Sequence, residues 1–236
     1  MATALGVLTT AALGQWQLSR AAQKEAIDAQ WVAQAALPIL FGADVVLAQG
    51  QAHQLTGRLV QLTGHWLADH TVYLDNRQMQ GRAGFYVLTP LQLSGTNDVV
   101  VVQRGWVPRN FEQRKQLPEI STPMGELTLK GRLAGPPSRL YDLGGTESGA
   151  IRQNLDLESF SLELKTQSVQ TFRLITEVSV QQSSETVADG LLRNWPVIKS
   201  GVDKHYGYAF QWFALSLLMV GLFLWFQFFK SRQHHE

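Results

Sequence analysis

The sequence predicts a membrane protein in which two transmembrane helices flank a mainly antiparallel β domain, a barrel or a sandwich, with minor helices. One apolar stretch lies near each end of the 236 residues. Between these stretches, short runs with alternating apolar and polar residues recur between Gly- and Pro-containing turns, a pattern typical of antiparallel strands. Charged residues make up only 17% of the chain, below the roughly 25% that is usual for soluble proteins.

The C-terminal stretch is the stronger membrane signal. Residues 205–229 contain no Asp, Glu, Lys or Arg, and as a helix they would extend for about 37 Å, beyond the roughly 30 Å of the hydrocarbon core. We therefore predict a second transmembrane helix over 205–229. The basic residues Lys230 and Arg232 place the tail at 230–236 in the cytoplasm by the positive-inside rule.

The N-terminal stretch predicts a first transmembrane helix over residues 1–19, whose start we expect to be incomplete. Its 17 uncharged residues, Ala2 to Leu18, lie at the lower limit for a span. A cleaved signal peptide is the main alternative, but it would need Lys or Arg before the apolar run. A helical extension follows over 20–37, and two spans place both termini in the cytoplasm.

Residues 38–190 are predicted to form a translocated, β-rich domain. The strand-like segments are 53–62, 71–77, 84–93, 99–108, 125–135 and 170–180. The two Gly-Arg-Leu segments at 57–59 and 131–133 suggest equivalent strands. Residues 154–165 suit a short helix, and residues 191–204 are predicted to link the domain to the second span.

Composition and missing motifs exclude several functions. A net charge of +1 gives no indication of nucleic-acid binding, and the absence of cysteine excludes disulfides, Fe–S clusters and thiol nucleophiles. No nucleophile elbow, zinc-protease, P-loop or dinucleotide motif occurs. We therefore predict a protein without enzymatic activity; an anchored extramembrane enzyme is the weaker alternative.

Two local patterns contain candidate binding residues. His65 and His70 lie close to Asp69, but two surface histidines in a turn explain this spacing better than a metal site. Arg104 and Arg109, beside an aromatic residue in "RGWVP" (104–108), could bind a carboxylate. A strand that ends in a glycine turn is the interpretation that we favour for this segment.

His205 is the stronger candidate. At helical spacing it shares one face with Ala209, Trp212 and Ser216. The imidazole could ligate iron while Trp212 stacks on a flat aromatic ligand in the space beside Ala209. An ionisable residue at a membrane boundary is also a default candidate for a functional site. The alternative is an aromatic belt at the headgroups, which also includes Tyr206 and Tyr208.

Four segments occur in a specific order between the predicted spans: "LGQWQLSRAAQK" (13–24), "GFYVLTPL" (84–91), "VVVVQRGWVP" (99–108) and "KHYGYAFQWFALS" (204–216). Together they resemble the Surfeit locus protein 1 family of cytochrome c oxidase assembly factors. The segment "IRQNLDLESF" (151–160) lacks a tryptophan found in some members near this position. Besides His205, the matching positions, whose roles the resemblance leaves open, are Trp16, Gln17, Arg20, Gly84, Pro90, Arg104, Gly105 and Trp106.

The resemblance implies a multi-pass protein of the bacterial inner membrane, with its β domain in the periplasm, that assists assembly of an aa3-type oxidase. It implies transient binding of haem a, received from the haem a supply machinery and handed to oxidase subunit I. His205 is the expected axial ligand, with Tyr208 and Trp212 beside the macrocycle and Lys204 near a propionate. A scaffold that stabilises an oxidase intermediate without binding haem is the remaining alternative.

Overall fold

The structure is a computed structural model that describes residues 2–47, 50–110, 117–140, 149–168, 171–183, 189–195 and 201–228. The chain divides into two compact units, one formed by Met1–Gln30 with Val197–Glu236 and the other by Trp31–Pro196. The helices are α1 (Ala2–Ala35), α2 (Gly42–Leu47), α3 (Ala52–Leu55), α4 (Leu157–Gln167) and α5 (Val202–Phe228). The strands are β1 (Leu40–Phe41), β2 (Leu59–Trp66), β3 (Val72–Met79), β4 (Arg82–Leu93), β5 (Asp98–Pro108), β6 (Glu126–Ala134), β7 (Ile151–Arg152) and β8 (Arg173–Gln182).

The first unit is a pair of antiparallel helices in close contact. Gly6, Thr10 and Gly14 recur every four residues on α1, and small residues at this spacing let two helices approach closely. A Cβ atom added at Gly14 would lie 2.8 Å from the ring of Phe213 on α5. The hydroxyl oxygens of Thr10 and Ser216 are 2.6 Å apart, so the two helices share a buried polar contact.

Among the described residues, one helix is long and apolar enough to cross a membrane, and this helix is α5. Its buried residues are Ala209 and Ser216, and its large apolar side chains are mostly exposed, as lipid contact requires. The predicted helix at the N-terminus is confirmed as the start of α1, but its crossing of a membrane stays a prediction. The predicted tail at 230–236 lies outside the described residues.

The second unit contains a ring of five strands in the order β2–β6–β8–β5–β4, closed by pairing of β4 with β2. The closing contacts join Gly64–Trp66 to Leu91–Leu93. Every pairing in the ring is antiparallel except that of β5 with β8. The expected β-rich domain with minor helices is confirmed, and its pairing pattern is that of a barrel. The first Gly-Arg-Leu segment ends at Leu59, the first residue of β2, and the second lies on β6. The two strands pair with each other, Leu59 opposite Arg132.

Strand β5 is covered on both faces. All four valines of 99–102 are buried, and they alternate between the barrel core and a second apolar cluster beneath α4. Helix α4 contributes Leu157, Phe160 and Leu164 to that cluster, the i, i+3, i+7 spacing of an amphipathic helix. Burial on both faces explains why residues 99–102 are continuously apolar, whereas β2 alternates between buried and partly exposed residues.

The first predicted strand begins later than the pattern at 53–62 indicated. Residues 52–55 form α3, and Gly57 has a φ of 97°, which extended backbone does not adopt, so β2 starts at Leu59. Two further elements begin three residues later than predicted. Helix α4 begins at Leu157, because Asp156 caps it through a hydrogen bond from the Ser159 backbone N–H, and β8 begins at Arg173.

Candidate functional site

His205 lies in the first turn of α5 and is hydrogen-bonded to α1. Its Nδ1 atom is 2.7 Å from Oε1 of Gln17. The imidazole is partly buried, and its Nε2 atom has no hydrogen-bond partner among the described residues. Two motif positions that are 188 residues apart in the sequence therefore form one contact.

The helical face predicted below His205 is occupied by α1. Ala209 is 2% exposed, and Ser216, about two helical turns further along that face, is hydrogen-bonded to α1 through Thr10. This corrects the expectation that a flat ligand enters beside Ala209, because that space is filled by helix packing. A ligand of His205 has to approach from the side of the helix pair on which Nε2 lies.

The aromatic residues near His205 differ in their exposure. Tyr208 is 52% exposed and Trp212 is partly buried, so both present ring surface outside the helix contact. Tyr206 donates a hydrogen bond from its hydroxyl to Glu25 on α1, at 2.8 Å. The predicted roles of Tyr208 and Trp212 beside a macrocycle remain predictions.

The two other α1 motif residues lie on the surface of the helix. Trp16 is 51% exposed, and the Arg20 guanidinium lies 5.8 Å from the centre of its ring, a cation–π distance. Arg20 also donates to Gln23 at 3.0 Å. Within the described part of the chain, Gln17 is the α1 motif residue that reaches His205.

The site fits a haem iron better than a bare metal ion. Haem iron takes one or two axial protein ligands, and an imidazole nitrogen is a common one. No group of three or more His, Cys, Asp or Glu side chains that could hold a metal occurs among the described residues. A single imidazole can therefore hold only a metal that already carries its other ligands. Haem iron is such a metal, because the nitrogens of the macrocycle bind it.

The "RGW" motif of β5 holds the segment that precedes α5. We call residues 189–195 the strap. Asp189 lies between two arginines, with its Oδ2 atom 2.6 Å from Arg193 and 3.5 Å from Arg104, and all three side chains are at most 3% exposed. Arg104 also donates to the Ser121 carbonyl and the Thr122 hydroxyl, each at 2.7 Å.

Gly105 and Trp106 complete this attachment. A Cβ atom at Gly105 would lie 2.6 Å from the Leu191 Cβ, so only glycine leaves room for the strap. The backbone of Trp106 exchanges two hydrogen bonds with Leu192, at 2.7 and 2.8 Å. The strap is therefore attached to β5 by an isolated antiparallel β-bridge between Trp106 and Leu192, although residues 191–195 were predicted as part of a linker. Sequence analysis did not indicate that Asp189 and Arg193 form ion pairs at this place, because no local pattern links them to Arg104, 85 residues before Asp189.

Gly84 and Pro90 on β4 have structural roles. The Trp106 indole lies over Gly84, where an added Cβ would be 2.5 Å from the ring and 2.2 Å from the Val107 carbonyl oxygen. Pro90 lies between the last residue of β4 paired with β3, Leu88, and the first paired with β2. Because β4 changes neighbours there, the missing N–H of proline leaves no ladder bond unmade.

The remaining candidate residues, among them His65 and Arg109, make contacts that do not involve His205. His65 lies in a surface depression of about 580 Å³ with Ser94 and Glu126. Ser94 donates to Glu126, and in the described structure His65 bonds to neither, so no nucleophile–base pair forms. Arg109 forms an ion pair with Asp75 at 3.1 Å, so its charge is neutralised by a residue of the barrel unit.

Comparison with known proteins gives one consistent family. Residues 4–217 match the SURF1 family. A SURF1-like protein of Rickettsia bellii is 25% identical over 94% of this chain and 90% of its own length, and one of Drosophila melanogaster is 29% identical over 50% of this chain and 42% of its own. The cytochrome oxidase assembly protein SHY1 of Saccharomyces cerevisiae is 29% identical over 35% of this chain and 22% of its own. The chain belongs to the SURF1 family.

Proposed function

We propose that this protein assists the assembly of cytochrome oxidase by holding haem a on His205 and handing it to oxidase subunit I. Family membership and the name of the yeast relative support a role in oxidase assembly. The observation that carries the haem assignment is the geometry of His205, a partly buried imidazole whose Nδ1 is engaged by Gln17 and whose Nε2 is open.

The residues of the chain would bind and orient the haem without bond chemistry. His205 would ligate through Nε2, while Tyr208 and Trp212 would offer apolar ring surface to the macrocycle. Lys204, exposed at the start of α5, would pair with a propionate. Haem a, when bound, would supply an iron centre that an imidazole nitrogen can ligate. A single protein ligand at a partly exposed site suits a cargo that must later be released.

The same proposal includes the membrane topology. Helix α5 crosses the bacterial inner membrane, and α1 crosses beside it, because Gly6, Thr10 and Gly14 pack it along the apolar helix. Both termini are then cytoplasmic and the barrel unit is periplasmic, with His205 near the periplasmic boundary. In this position a macrocycle can lie in the apolar layer while its carboxylates reach water.

Replacement of the ligand tests the haem assignment. The wild-type protein, purified in mild detergent from cells that make haem a, is expected to carry a Soret band, and His205→Ala is expected to abolish it. His65→Ala is the matched control, because His65 is an exposed histidine of the barrel unit and its loss should leave the band unchanged.

The outcomes separate the candidate functions. A Soret band that survives His205→Ala would show that His205 is not the ligand. A wild type without haem, which still co-purifies with an oxidase intermediate, would favour a scaffold that binds no haem. Oxidase assembly in cells that express each variant completes the test, since a pure scaffold should tolerate His205→Ala.

A further inference from the structure

We infer that Gln17 is a positioning residue that holds His205 in the tautomer with its proton on Nδ1, so that Nε2 keeps a free lone pair with which it would ligate the iron. The inference rests on the proposed function, since it concerns the same site. It assigns a role to Gln17, which the family resemblance leaves open, from the contact between the two side chains.

The argument begins with the chemistry of the two groups. The Gln17 atom that faces His205 is the amide oxygen, 2.7 Å from Nδ1, and an amide oxygen can only accept a hydrogen bond. In this orientation of the amide, Nδ1 donates the hydrogen bond. In a neutral imidazole the other nitrogen then carries the lone pair, which is the form that binds a metal.

The opposite orientation of the amide would prevent ligation through Nε2. If the Gln17 amide nitrogen donated to Nδ1, the ring proton would lie on Nε2 and no lone pair would remain there. A histidine that ligates through Nε2 can thus be paired only with the oxygen of Gln17. Ligating histidines commonly donate their second N–H to such a partner, which fixes the ring orientation.

The two helices hold Gln17 at this place. Below the contact, Thr10 and Ser216 bond to each other and Gly14 lies against Phe213, so the distance between α1 and α5 is set by packing. In a partly buried setting a hydrogen bond is stronger than in water. The preference of His205 for one tautomer is therefore built into the helix contact rather than induced by the ligand.

The first test measures the tautomer without haem. The full-length protein is labelled with ¹⁵N-histidine, purified haem-free in detergent, and the ring ¹⁵N shifts are assigned to His205 with the His205→Ala variant. We expect an Nδ1–H ring in the wild type and loss of this preference in Gln17→Leu, which keeps the size of the side chain but cannot accept. Gln23→Leu, an exposed position on the same helix, is the control and should leave the tautomer unchanged.

The second test measures haem binding by the same variants. Loss of a group that orients a metal ligand commonly costs 10–100-fold in affinity, so Gln17→Leu should bind haem 10–100-fold more weakly than the wild type and Gln23→Leu normally. Gln17→Glu keeps an acceptor and should retain binding, with a higher iron–histidine stretching frequency in the resonance Raman spectrum because the ring becomes more basic.

Each result decides one of the two proposals. A wild-type ring with its proton on Nε2, or a tautomer that Gln17→Leu leaves unchanged, would overturn the inference even if His205 binds haem. Unchanged haem affinity in Gln17→Leu would overturn it as well. A tautomer that shifts as expected in a protein that binds no haem would uphold the role of Gln17 at His205 and refute the proposed haem ligation.

Discussion

Removing the carboxylate of Asp189 should destabilise the barrel unit severely. Asp189 lies between Arg104 and Arg193, and the exposed fractions of the three side chains are between 1% and 3%. Burial lowers the pKa of Arg104, and the charge of Asp189 opposes this shift. Asp189→Asn would leave two buried guanidinium groups without that countercharge. Breaking a buried ion pair from one side costs about 3–5 kcal/mol, which is about two to four orders of magnitude in the unfolding constant.

Urea unfolding of the full-length protein in detergent, followed by tryptophan fluorescence, measures this loss. Arg139→Gln is the matched control, because Arg139 pairs with Asp156 at 2.7 Å but the two side chains are 67% and 44% exposed. Exposed pairs contribute about 0–1 kcal/mol, so the control should differ little from the wild type. Hydrogen exchange at Trp106 and Leu192 should rise in Asp189→Asn, since their mutual bonds attach the strap.

A third variant separates charge from packing. If the cost arises from uncompensated charge, replacing all three residues by apolar side chains of similar size should recover stability relative to Asp189→Asn. A loss below about 1 kcal/mol in Asp189→Asn, the size expected for an exposed pair, would refute the reasoning. So would a triple variant that is less stable than Asp189→Asn, because packing of the strap would then be the main term.

Three further predictions concern other contacts. Gly84→Ala should lower the free energy of unfolding by about 1–3 kcal/mol, since the new Cβ would meet a backbone carbonyl at 2.2 Å; Gly135→Ala, with open space around the Cβ, should be near neutral in the same urea titration. Ser216→Ala removes the hydroxyl bonded to α1 and should cost about 0.6 kcal/mol in SDS-induced unfolding; an unchanged midpoint would show that the bond contributes nothing. Asp156→Ala should cost about 1 kcal/mol through loss of the helix cap. The backbone N–H of Ser159 lowers the pKa of Asp156, so the stability it provides is present above the unfolded-state pKa and is lost as pH falls through the folded-state pKa. Wild type and Asp156→Ala should therefore converge in acid; a difference that persists there would contradict the charged-cap explanation.

The elements that the sequence predicted well are those with a local cause. The alternation of β2 and the continuous valines of β5 reflect burial on one face or on both, which any strand in that environment must satisfy. The boundary of β2 was wrong because Gly57, at a φ of 97°, interrupts a run whose composition continues through it. The parallel contact of β5 with β8 has no local signal, because pairing depends on how the barrel closes.

The candidate site shows the same division. Helical spacing placed His205 and Ser216 on one face of α5, and this grouping is confirmed by their contacts with α1. Spacing alone could not say that the face is occupied by another helix. The four-residue recurrence of Gly6, Thr10 and Gly14 on α1 was the available sign of a close helix partner. Such a partner helix occupies the space that was assigned to a ligand.

The motif residues fall into two groups when the reason for each residue type is considered. On the barrel, Gly84 and Gly105 lie where a Cβ would overlap backbone or neighbouring side-chain atoms. Arg104 makes buried contacts with Asp189 of the strap and with the Ser121 carbonyl. Packing alone accounts for these residue types. It does not account for Gln17 and His205, because a leucine would fill either position on an apolar helix pair at no cost in hydrogen bonding. Under the proposed function, the open Nε2 atom gives this polar pair a role, and this makes the pair the place to look for the ligand.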